Sequence, residues 1–177
     1  LKDYGYLKLA FIMLIKKFKY FLRLKCKINL RKEENEMYSE TKINVRYAET
    51  DQMGIVHHSV YAIWYEYART EFSKEMGFPY RKMEEEGVMT PLVELHSKYI
   101  MPCGYDEEVV VRTKIGKLTP ARVVFEYEVY KENKLINTGY TMHAITDKDL
   151  KPMNLKKIKP EIYQIMEKSM QDENKKL

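Results

Sequence analysis

Between Lys42 and Ala48, apolar Ile43, Val45 and Tyr47 alternate with polar Lys42, Asn44 and Arg46. A period of two sends neighbouring side chains to opposite faces, which predicts a half-buried strand. Glu49 to His57, with Gly54 inside it, reads as a loop. From Ser59 to Met76 the period lengthens, and Tyr61, Trp64, Tyr65, Ala68, Phe72 and Met76 recur at spacings of three and four. That is one apolar stripe of a long helix. Gly77 stands where a left-handed C-terminal cap belongs, and Pro79 prevents continuation. Tyr80 to Glu86 predicts a short helical turn closed by Gly87.

Strands follow: Val88 to Met101, Glu107 to Leu118, Ala121 to Lys131 and Lys134 to Thr146, divided by turns at Pro102-Cys103-Gly104, Thr119-Pro120 and Asn133. In the third, Val123, Phe125, Tyr127 and Val129 point one way and Glu126, Glu128 and Tyr130 the other. Asp147 to Pro152 reads as a turn, and Pro160 to Met170 as a terminal helix with proline at its first position. One strand, one long helix and four more antiparallel strands predict an α+β fold, a curved five-stranded sheet wrapped on a single helix. One helix leaves a sheet face and an edge uncovered, so a homodimer or homotetramer is expected.

At 177 residues, 45% hydrophobic and 32% charged, the chain suits one globular domain. A net charge of +5 fits an anionic, nucleotide-bearing ligand but is too diffuse to indicate nucleic acid. There is no zinc-type spacing, no RNP-like aromatic motif and no helix-turn-helix pattern. Cys26 and Cys103 offer no disulfide framework and no CxxC pair, so a reducing, cytoplasmic setting is expected. Residues 1–36 differ in character, mixing Leu, Ile, Phe and Tyr with lysines. Their longest apolar run, Leu9 to Ile15, falls far short of the ~20 residues a membrane span needs. No small-x-small cleavage site follows it. An amphipathic membrane-surface helix is one reading of this stretch. The favoured one is a translated leader, because Arg31 to Glu36 can be written in purine-rich codons that contain a bacterial ribosome-binding sequence ahead of Met37. The domain is therefore expected to occupy residues 37–177.

The chemistry concentrates between Tyr47 and Tyr61. A helix beginning near His58 presents unpaired N–H groups and the positive end of its dipole to whatever precedes it. Such a place polarises a carbonyl on which charge develops during acyl transfer. Asp51, in the loop before it, can approach the same carbon. Taken alone, an aspartate there is more often a loop cap. The segment Asp51-Gln52-Met53-Gly54-Ile55-Val56-His57-His58-Ser59-Val60-Tyr61 resembles the motif of the hotdog-fold 4-hydroxybenzoyl-CoA thioesterase family. Glu66-Tyr67-Ala68-Arg69-Thr70-Glu71 and Gly77-Phe78 resemble its bacterial acyl-CoA thioesterase branch, and the likeness runs to about residue 153.

The resemblance implies a thioester hydrolase with Asp51 as the catalytic carboxylate, either as nucleophile or as general base on water. It places Gly54, Ile55 and Val56 in the substrate loop, His58 at the helix start and Tyr61 as the closing aromatic. The His58 N–H becomes the oxyanion donor, and coenzyme A arrives as part of the substrate, with no further cofactor and no metal. It also implies an active site between protomers, with Lys114, Lys117 and Arg122 near the Thr119-Pro120 hairpin available to the phosphates. Glu66 is a reserve carboxylate on the helix. His57, His96, His143 and Cys103 read as surface, strand or turn residues. A hydratase is the runner-up reading, but its Asp-to-His spacing differs from that of Asp51 and His57 or His58. A non-catalytic acyl-CoA-binding module would not need Asp51.

Overall fold

The structure is a computed structural model that describes residues 38–170. The leader expected over residues 1–36, its amphipathic alternative and Cys26 all lie outside the described residues. The strands are β1 (Ser39–Asn44), β2 (Leu92–Tyr99), β3 (Glu108–Thr119), β4 (Arg122–Lys131) and β5 (Lys134–Ala144). They form one antiparallel sheet in the order β1-β3-β4-β5-β2. The alternation in sequence becomes the two faces of this sheet. Val109, Val111, Thr113 and Ile115 of β3 and Val123, Phe125, Tyr127 and Val129 of β4 are buried. On the other face Arg112 stands opposite Glu128 and Lys114 opposite Glu126, favourable cross-strand charge pairs.

Helix α1 (Val60–Glu75) lies across the inner face. Its stripe of Tyr61, Trp64, Tyr65, Ala68 and Phe72 is buried, as the spacing predicts. Tyr65 stacks on Tyr127 of β4 at 4.3 Å, and Phe72 meets Phe125 edge-on at 6.3 Å. Gly77 closes α1 at φ +80°, a conformation that costs a residue with Cβ. Short α2 (Tyr80–Glu85) follows, and α3 (Leu155–Ile158) and α4 (Pro160–Lys168) complete the elements, with Leu155, Ile162, Tyr163 and Met166 buried. No helix among the described residues is long and apolar enough to cross a membrane.

Three departures from the sequence reading stand out. The first strand is Ser39–Asn44 and not Lys42 to Ala48, with Tyr47–Glu49 forming a turn of 3₁₀ helix. The Glu49 carboxylate takes the Arg46 N–H at 2.8 Å, a local side-chain bond that draws the backbone out of the ladder. The strand begins earlier because Ser39 and Thr41 are buried, positions that a hydrophobic pattern does not mark. The strand expected from Val88 is ordered as β2 only from Leu92, since Pro91 has no N–H to give. The short helix α3 is an additional element, capped by Asn154, whose side chain accepts the Lys157 N–H at 3.0 Å.

Candidate active site

The Asp51 loop is closed by its own main chain. The Asp51 N–H donates to the Ile55 carbonyl at 2.9 Å, and the Gly54 N–H returns to the Asp51 carbonyl at 2.9 Å. Gly54 makes this turn at φ +75°. One Asp51 carboxylate oxygen, Oδ1, accepts the Met53 N–H at 2.8 Å, and the other carries no hydrogen bond among the described residues. Two clamps set the loop against α1. The Val56 N–H donates to the Cys103 carbonyl and the His57 N–H to the Glu49 carbonyl, at 2.9 and 2.8 Å. Ser59 is the N-cap residue, so His58 immediately precedes the helix cap. Its carbonyl accepts the Tyr99 hydroxyl at 3.0 Å, while its N–H is unpaired among the described residues. The peptides on both sides of His58 are therefore fixed, which fixes the direction of that N–H.

The structure brings Asp51, Gly54, Ile55 and His58 together at the N-terminal end of α1. Val56 and Tyr61 lie beneath them, 5% and 3% exposed, with the Tyr61 hydroxyl 3.5 Å from Cys103 Sγ. Lys114, Lys117 and Arg122 are not brought to the same place within one chain. The loop sits by Cys103 and the start of β3, whereas eight strand residues at about 3.3 Å each carry Lys117 roughly 25 Å beyond Val109. Glu66 is exposed on α1. His57 is tied to Ser59 through Nδ1 at 2.8 Å, and exposed His96 stacks on Tyr140. Cys103 is buried, and that burial pushes its thiol above the ordinary range, the reverse of what a nucleophilic thiolate requires. His143 has partners that the sequence did not reveal, the Thr90 carbonyl at 2.9 Å and Thr141 Oγ1 at 3.0 Å. Among the described residues no group of three or more His, Cys, Asp or Glu is placed to hold a metal ion.

Sequence reasoning missed Glu49 and Tyr99. Glu49 is 5% exposed, and its carboxylate accepts Arg46 Nη2 at 2.7 Å, Arg46 Nε at 3.1 Å and the Trp64 indole at 3.3 Å. Burial pushes this carboxyl up, but the Arg46 main-chain N–H, the Arg46 guanidinium and the Trp64 indole outweigh it and hold it below the ordinary range. Glu49 thus ties the loop to the core helix through its side chain and to His57 through its carbonyl. The spacing of Arg46 and Glu49 was the one local signal. Trp64 and Tyr99 come from elements distant in sequence.

The chain is similar to known proteins in sequence and in fold. The model of the thioesterase-like superfamily matches residues 45–166. YneP of Bacillus subtilis, provisionally named an acyl-CoA thioesterase, is 38% identical over 133 residues, covering 74% of this chain and 96% of its own length. The acyl-CoA thioester hydrolase YbgC of Shigella flexneri is 28% identical over 117 residues, 65% of this chain and 87% of that protein. The solved DHNA-CoA thioesterase from Staphylococcus aureus is 37% identical with a TM-score of 0.71, covering 74% of this chain and 89% of that one.

Proposed function

The chain belongs to the thioesterase-like superfamily and is an acyl-CoA thioester hydrolase of the hotdog fold, and from that premise we propose that Asp51 is its catalytic carboxylate. The carrying observation is that one loop, clamped at both ends, presents a carboxylate and an oriented main-chain N–H at the same end of α1. The His58 N–H receives the developing negative charge on the thioester oxygen, aided by the helix dipole. The unengaged Asp51 oxygen either attacks the carbonyl carbon or takes a proton from the attacking water. The thiolate of coenzyme A leaves, and water supplies the oxygen of the free acid. Gly54 and Ile55 shape the loop over the acyl group, with Val56 and Tyr61 as its floor.

Because Lys114 and Lys117 lie along β3 away from the loop and Arg122 begins β4 at the same hairpin end, they serve the phosphates of a substrate held by a second copy of the chain. The working unit is accordingly a homodimer or homotetramer, acting in the cytoplasm, with its activity carried by residues 37–177. The reaction uses only the thioester and water, so coenzyme A is needed as part of the substrate alone.

Asp51→Asn tests the assignment, since it keeps the shape and the Met53 hydrogen bond while removing the basic oxygen. Steady-state hydrolysis of a short and a long acyl-CoA should show kcat lowered at least ~10²-fold with KM little changed. A residue that only capped the turn would instead lower stability by about 1 kcal/mol and leave turnover intact. His58→Ala should be milder, because the donor is main chain. Near-normal turnover in a well-folded Asp51→Asn protein would refute the assignment and turn attention to Glu66.

A further inference from the structure

A second face of α1 borders a cavity of about 240 Å³. Glu66, Arg69, Ser73 and Met76 recur there at helical spacing, beside the core stripe. Its inner walls are Phe125 of β4, Met83 of α2 and Met166 of α4, together with Met76. Three thioethers and a phenyl ring make a pliable, polarisable lining well suited to an aromatic ring. Arg69 supplies the polar end. It is half-buried, lies 5.8 Å from the Phe125 ring centre and donates to the Tyr127 hydroxyl at 3.3 Å.

Arg69 forms no ion pair among the described residues. Behind it the polar groups continue as a neutral chain, Tyr127 hydroxyl to Thr141 at 2.8 Å, Thr141 to His143 at 3.0 Å and His143 to the Thr90 carbonyl at 2.9 Å. Glu66, one turn earlier on α1, is exposed at the rim. A guanidinium with unused donors beside a chamber that joins three methionines and a phenyl ring to Thr70, Ser73, Tyr80 and Thr90 suits a carboxylate attached to a small ring. Glu66 disfavours a second negative charge. The volume lies between the ~150 Å³ of a cavity that takes benzene and the ~300 Å³ at which ordinary ligand pockets begin. It holds one ring and its acid group, and excludes coenzyme A. Arg69 stands eleven residues past His58, roughly 16 Å along the helix at about 1.5 Å per residue.

We infer that this cavity is a second ligand site, specific for a small aromatic monocarboxylate whose acid group pairs with Arg69 and whose ring lies among Phe125, Met83 and Met166. The site does not depend on the role given to Asp51. Benzoate titrated calorimetrically into the full chain is the probe, with benzyl alcohol as a neutral control of similar shape. Benzoate should saturate below ~10 mM, a weak but specific affinity, and benzyl alcohol should bind at least tenfold more weakly. Arg69→Met should weaken benzoate ~10-fold or more, the scale of one lost charge-assisted hydrogen bond. Met166→Trp, which fills the chamber from the opposite wall, should abolish binding while thioester hydrolysis continues. That variant carries the test if Arg69→Met does not fold. Asp51→Asn should bind benzoate as the parent does. The inference is overturned by absence of saturable binding, by equal affinity for benzyl alcohol, by unchanged binding in Met166→Trp, or by loss of binding in Asp51→Asn, which would move the ligand to the Asp51 loop.

Discussion

Glu49 shows how a buried charge earns its place at the residue scale. An isolated carboxylate at 5% exposure would be strongly destabilising, but Arg46 and Trp64 satisfy it from two sides. The result is a rigid post from which the Asp51 loop hangs. Glu49→Gln keeps an acceptor for Trp64 and removes the charge that holds Arg46. Stability should fall by roughly 1–3 kcal/mol, as when a buried group loses a charge-assisted hydrogen bond. The catalytic constant should fall as well, although Glu49 is not proposed to touch substrate, because the His57 and His58 peptides lose their reference point. Urea melts paired with steady-state kinetics measure both. A folded Glu49→Gln protein with unchanged kcat would show that the loop keeps its geometry without the post.

At the scale of the element, β5 carries a titratable group into the core. His143 is 2% exposed, and burial, reinforced by the nearby Arg69 charge, lowers its pKa from 6.5 to about 4. The unfolded chain therefore binds a proton between these values while the folded one does not. Stability from this residue is fully present above pH 6.5 and is lost as pH falls toward 4. Between pH 7 and pH 5 the loss should be about 2 kcal/mol, a window above the titration of the carboxylates. Urea melts at those two values check it, and His143→Gln should remove most of the slope. An equal slope in the variant would place the pH dependence elsewhere.

For the whole molecule, the sheet order leaves β1 and β2 at the edges. Strand β2 is exposed nearly throughout, including Leu92, Val93, Leu95 and Tyr99 at 53, 56, 41 and 51%. Apolar residues on an uncapped edge are a template for another strand. The same strand ends at Tyr99, which holds the His58 carbonyl, so covering β2 would also stiffen the segment that joins the Asp51 loop to α1. Light scattering at micromolar concentration should find a dimer or larger. Leu95→Lys should shift it toward monomer and reduce hydrolysis in parallel. A fully active monomer would contradict the shared site.

The long helix, its glycine stop and the inward faces of β3 and β4 were legible in the sequence because each is written in spacings of two, three or four residues. The Asp51 loop was marked by its resemblance to a family motif, and its turn is local, closing between Asp51 and Ile55 with Gly54 in the left-handed conformation. Ser39 and Thr41 were not, because a buried hydroxyl leaves no mark in an apolar pattern. The strand order, the Glu49–Trp64 and Tyr99–His58 bonds and the cavity beside Arg69 were decided only by the tertiary structure. Their partners come from separate elements, so they exist only once the sheet has closed on the helix, and local periodicity carries no record of which distant element arrives.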